Sequence, residues 1–220
     1  MSLKLYYHPL SSFCMKTLIA LYENNTPFEG EIVNLGDPAS AANFKKIWPI
    51  GKFPVLRDDA KGRTIPESSI IIEYLDQNYP GPTKFLPGDA DFARQIRFRD
   101  RFYDLHLHVP MQKFVTDNLR PAGQNDTYGV EQAKALMQTA LDMIEQDMAG
   151  KTWAMGAEFT LADCSAGPPL FYVDMALPFG GTHKNTKRYL DRLVSRPSFA
   201  RALSEAEPYL HMVPIKRAAS

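Results

Sequence analysis

Residues 80–89, PGPTKFLPGD, place three prolines and two glycines in ten positions. Proline brings no backbone N–H and glycine no Cβ, so regular structure does not run through such a stretch. The pattern of apolar residues differs in kind on its two sides. Upstream, LKLYYH (3–8) is rich in aromatic and apolar residues, as strands are. From Ser11 the period changes, and Met15, Leu18, Ile19 and Tyr22 fall at i, i+3, i+4 and i+7 on one helical face. NNTPFE (24–29) breaks that helix, and EGEIVNL (29–35) reads as a second strand after it. A looser segment, DPASAANFKKIWPIG (37–51), precedes KFPVLRD (52–58) and GRTIP (62–66), two strands about the turn-like DDAKG. ESSIIIEYLDQNY (67–79) reads as a helix with Ile70, Ile71, Tyr74 and Leu75 on one face. The order β-α-β-α-β-β-α is a small mixed unit with one crossover helix and one hairpin.

Downstream everything reads helical. The pattern over 90–119 is long, and Pro110 should kink or divide it. Residues 129–150 put Val130, Ala133, Leu136, Met137, Leu141 and Ile144 on one stripe that stops at Gly150. Thr160 and Asp163 form a capping pair, and two further helices divide at Pro197. Three segments are therefore expected: an α/β unit over 1–80, a linker over 81–90 and a helical unit over 91–220.

The charge pattern narrows the partners. Residues 1–80 carry eight basic and nine acidic side chains, and the remainder seventeen and sixteen. Neither half attracts nucleic acid or an anionic membrane through bulk charge. The longest uncharged apolar run, CSAGPPLFYV (164–173), falls well short of the ~20 residues that span a bilayer. Two cysteines far apart in the chain, Cys14 and Cys164, are no disulfide framework. These features fit a protein of a reducing cytoplasm. His106 and His108 lie only two apart on a helix with no cysteine or carboxylate cluster, so no metal site is expected.

Four motifs share a common resemblance. WPIGKFPVL (48–56), PESSIIIEYL (66–75), GAEFTLADC (156–164) and KLYYHPLSSFCMKTLIAL (4–21) are similar, in order and spacing, to elements of the cytosolic glutathione transferase family. The likeness runs from Lys4 to about Phe199. It implies an N-terminal thioredoxin-like domain (βαβαββα) followed by a C-terminal helical-bundle domain. It also implies glutathione as co-substrate, a homodimer, and transfer of the glutathione thiolate to small apolar electrophiles, with peroxide reduction as a side activity. Glutathione-dependent isomerisation of a maleyl-type diketo acid is an alternative. It is weakened because Lys16 stands where that class carries an arginine. A non-catalytic binding or scaffold protein is the third reading.

The residues make chemical sense beside the resemblance. A cis Phe53–Pro54 bond would leave the Phe53 backbone free to pair with an extended peptide, whereas a trans proline would simply start a strand. Glu67 and Ser68 at a helix start offer a carboxylate, a hydroxyl and free N–H groups, which suit a γ-glutamyl group and would equally cap the helix. Lys52 could meet the glycyl carboxylate or lie solvated. Ser11 stands where serine-type members of the family carry the hydroxyl that donates to the thiolate, and Ser12 is its rival. Tyr6 matches the tyrosine of other classes but reads as a strand residue, and Cys14 as a packing residue. Tyr103, His106, Met111 and Phe114, around Pro110, are expected to line the electrophile pocket.

Overall fold

The computed structural model describes residues 2–214. Strands β1 (Leu3–Tyr7), β2 (Glu29–Ile32), β3 (Val55–Asp58) and β4 (Arg63–Pro66) form one sheet in the order β2-β1-β3-β4. The β1–β2 pair is parallel and joined by helix α1 (Ser12–Glu23), whereas β1–β3 and β3–β4 are antiparallel. Helix α2 (Pro38–Ile47) fills the looser segment, and α3 (Ser68–Asn78) closes this half. On α3 the buried pair is Ile71 and Ile72, while Ile70 is 52% exposed. Ile71, Tyr74 and Leu75 are buried as expected, and only Ile70 departs from the expected face, Ile72 taking its place in the core.

Helices α4 (Ala90–Tyr103), α5 (Val109–Asp117), α6 (Thr127–Asp147), α7 (Leu161–Ala176), α8 (Lys184–Val194) and α9 (Pro197–Ala206) make up the second half, with a 3₁₀ turn over Glu207–Met212. Pro110 stands in the first turn of α5, and the break it imposes is a π-helical turn over Asp104–His108. Pro197 is likewise the first residue of α9, where its missing N–H costs nothing. The Thr160–Asp163 capping box opens α7. That helix runs through Pro168 and Pro169 and buries nearly all of its side chains, so packing holds it where local preference would break it. At Gly167 an added Cβ would stand 2.9 Å from Cε1 of Phe199, so the glycine sets how closely α9 lies against α7. No described helix is long and apolar enough to cross a membrane.

The two halves share one core. Leu18, Ile19 and Leu21 of α1, Leu161 and Leu170 of α7, and Phe199 of α9 belong to a single buried cluster. Phe85, in the middle of the proline-rich segment, is 1% exposed within it. The segment is pinned rather than loose. Asn24 exchanges two hydrogen bonds with the Thr83 backbone, Asp76 accepts from the Phe85 N–H at 3.1 Å, and Phe85 O accepts from Leu161 N.

Candidate active site

The register of the sheet gathers the site. Val55 pairs with Pro66 and with Tyr6, so the start of β3, the end of β4 and the end of β1 meet at one edge. The residues just beyond them are Phe53–Pro54, Glu67 and the turn His8–Ser11. The Phe53–Pro54 bond is cis. No hydrogen bond among the described residues takes up the Phe53 N–H or C=O.

Glu67 is the N-cap of α3 with φ 68° and ψ 117°. A glutamate gains nothing locally from the left-handed region, where a Cβ costs about 1–2 kcal/mol. The carboxylate is exposed and makes no cap bond, so it stands free beside the first N–H groups of α3. Ser68, next to it, is buried.

Ser11 is the N-cap of α1 in an extended conformation, and its Oγ accepts from Cys14 N at 3.3 Å. An accepting cap keeps its own proton, so Ser11 can still donate. Ser12, one residue on, is 4% exposed. Both line a cavity of about 250 Å³ together with Leu10, Phe53, Met111, Gln112, Val115, Thr116, Tyr172 and Met212–Pro214. Tyr6 lies on the other face of the sheet, packed against Phe44 with ring centroids 6.1 Å apart. Burial pushes the Cys14 thiol up to about 12, partly offset by the Ser11 hydrogen bond, so it remains a protonated packing group. Burial also lowers the pKa of His8, whose Nδ1 accepts from Leu10 N.

Behind the turn sits a buried charge cluster. Lys16 is fully buried, with its Nζ 2.6 Å from Asp100 Oδ1, 2.8 Å from Asp104 Oδ2 and 2.8 Å from Ser69 Oγ. Ser165 of α7 also donates to Asp100. The cluster thus ties α1, α3, α4, the π turn and α7 together, and Ser69, Asp100 and Asp104 line a second cavity with Glu67 and Ser68. Burial pushes Asp104 up, and the Lys16 charge with its contacts more than offsets this, leaving the carboxyl below its usual range. His108 is lowered by burial and stacks on Phe13 with centroids 3.7 Å apart.

The electrophile side needs correction. Met111 reaches the cavity, but Tyr103, His106 and Phe114 do not. Tyr103 is 1% exposed, packed in the core beside Tyr189 and Asp163. His106 is exposed against Phe102, and Phe114 faces α6 beneath the Lys134 ammonium. For Tyr103 and His106 the physical reason is the π turn. It spends an extra residue between α4 and α5, so faces counted at α-helical spacing across it slip out of phase. Phe114 shares α5 with Met111 and is turned away by the packing of α5 on α6. Lys52 is exposed and ion-paired with no described residue.

Comparison with known proteins decides the family. A family profile described as the glutathione S-transferase N-terminal domain matches residues 5–83, and one described as its C-terminal domain matches residues 127–201. Glutathione S-transferase Z2 of Arabidopsis thaliana is 30% identical over 219 residues, covering 94% of this chain and 92% of that protein. The chain belongs to the glutathione S-transferase family. Among solved structures, the glutathione S-transferase of Methylobacillus flagellatus, crystallised with GSH bound, superposes with a TM-score of 0.83 at 26% identity over 91% of this chain and 98% of that one. One from Methylobacterium radiotolerans, in complex with glutathione sulfonate, gives 0.80 at 26% identity over 99% and 97%.

Several walls of the cavity in this family member carried no readable mark in the sequence. Val115 follows from Met111 by i, i+4 spacing within α5, whereas Gln112 and Thr116 form a second i, i+4 pair beside it. Tyr172, whose hydroxyl donates to Leu10 O at 2.8 Å, and the tail residues Met212–Pro214 follow from no spacing, because only the tertiary fold brings them there. Among the described residues no group of His, Cys, Asp or Glu is arranged to hold a metal ion.

Proposed function

We propose that this protein is a glutathione transferase that holds the glutathione thiol as thiolate and presents it to small, uncharged electrophiles. The observation that carries the reading is that Ser11 and Phe53 line one cavity, at the sheet edge where Glu67 is held in a left-handed conformation. The free Phe53 backbone suits the cysteinyl part of glutathione. Glu67 and Ser68 suit the γ-glutamyl ammonium and carboxylate, and Lys52 the glycyl carboxylate. Lowering a thiol pKa near 8.5 by two units needs about 2.7 kcal/mol. A hydrogen bond to an ion supplies about 1.5–3 kcal/mol and a helix N-terminus about 0.3–1 kcal/mol. Ser11 at the head of α1 offers both.

Reduction of small hydroperoxides would use the same thiolate. Isomerisation of a diketo acid is the second reading, and the relation to a zeta-type protein favours it. Against it, among the described residues no Lys or Arg lines the cavity to receive carboxylates. The working form in this proposal is a cytoplasmic homodimer. The test is retention on immobilised glutathione followed by assay against a panel of apolar electrophiles. Retention with turnover supports the transferase, whereas retention without turnover on any member makes the protein a binding scaffold.

A further inference from the structure

The electrophile half of the cavity carries few polar groups, and most of their hydrogens are already committed. Tyr172 donates to Leu10 O at 2.8 Å and Thr116 donates to Gln112 O at 2.7 Å. Ser11 and Ser12 belong to the thiolate side. Leu10, Met111, Val115, Met212, Val213 and Pro214 are apolar. That leaves the Gln112 side chain. It is half-buried on α5, lines the cavity, and its amide has no hydrogen-bond partner among the described residues. An amide brings two N–H donors and no charge.

We propose that Gln112 selects the electrophile class, donating to an oxygen on which negative charge builds as the thiolate adds. This rests on the transferase reading above and narrows its substrate to uncharged α,β-unsaturated carbonyl compounds of about one ring. In that reaction the sulfur bonds to the β-carbon, and the C=C π pair moves so that charge collects on the carbonyl oxygen. The α-carbon then takes a proton from water, replacing the one the thiol released, and nothing leaves. A donor fixed opposite that oxygen is worth more in the transition state than in the ground state, because the charge is larger there. In displacement of an alkyl halide the charge goes to the halide instead, and Gln112 has no oxygen to serve. The cavity volume, below the 300–1,000 Å³ of drug-sized sites, sets the one-ring limit.

The test compares cyclohex-2-enone with benzyl chloride, two uncharged one-ring probes, on wild type, Gln112→Met and Gln112→Glu. Both variants keep the length and helix preference of the side chain. Loss of the donor should lower kcat/KM for the enone by roughly ten- to a hundredfold in each, on the scale of a lost oxyanion donor that is partly open to water. In Gln112→Met, which adds no charge beside the thiolate, benzyl chloride turnover and the glutathione Kd should stay within about twofold of wild type and the thiol pKa within about 0.3 units. An equal fall for both probes would make Gln112 a wall residue, and no fall for the enone would remove it from the reaction; either overturns the inference. Wild type that turns over the chloride but not the enone overturns it too while leaving the transferase standing. Wild type that binds glutathione and turns over neither overturns both.

Discussion

Ser11 uses its oxygen to cap α1 and keeps its proton for a partner outside the helix. These are separable duties, and a substitution reads them differently. Ser11→Ala should bind glutathione within a few-fold of wild type, because in the proposed site the other contacts would come from Phe53, Glu67 and Ser68. The thiolate loses about 1.5–3 kcal/mol of stabilisation, which is roughly one to two pKa units and ten- to a hundredfold in rate near neutral pH. Thiolate absorbance of bound glutathione against pH measures this directly, with Ser12→Ala as control. A raised pKa in the Ser12 variant alone would move the donor by one residue. The cap itself is worth about 1 kcal/mol of stability, so a fall in Tm without a pKa change would leave Ser11 only its structural duty.

Lys16 shows how far a helix can reach beyond its own pattern. On α1 it sits where a lysine would ordinarily be solvated, yet it is enclosed by Asp100, Asp104 and Ser69. Removing the ammonium leaves two carboxylates buried without a cation. Lys16→Met should therefore cost about 3–5 kcal/mol in urea denaturation, the usual scale for a broken buried pair. A loss under about 1 kcal/mol would mean that water or a shared proton already neutralises the cluster. Elements of this kind mark the limit of reading from sequence. The order of strands and helices, the Thr160–Asp163 cap and the placing of Glu67–Ser68 at a helix start all follow from local pattern, and the fold agrees with them. The electrophile wall does not. Pro110 announces a break there but not that it takes the form of a π turn, and the slipped phase leaves Tyr103 in the core. Tyr172 and Met212–Pro214 are contributed from far along the chain, where spacing carries no information about the first turn.

Along α3, α4, the π turn and the start of α5 the molecule shows an apolar margin, with Ile70, Phe98, Leu105 and Val109 each more than two-fifths exposed beside the Arg97–Glu73 ion pair. In a homodimer this margin would be the face that meets its copy. Light scattering at micromolar concentration should give about twice the 24.8 kDa chain mass, and Ile70→Asp should shift it toward the monomer. A wild-type particle of one chain mass would overturn the dimer. Inside each chain, a different dependence follows from the packing of α1, which is buried along most of its length against the sheet on one side and α7 and α9 on the other. Two of its partners, Phe199 of α9 and Glu205, which accepts from the Tyr22 hydroxyl, are made long after it, Glu205 lying 183 residues beyond Tyr22. The groups that suit glutathione all lie before residue 70, but the side of the helix presenting Ser11 that faces away from the sheet is not fully covered until α7 and α9 have emerged. During synthesis the nascent α/β half must wait with one apolar side of that helix uncovered, and that interval is when a chaperone would have most to hold.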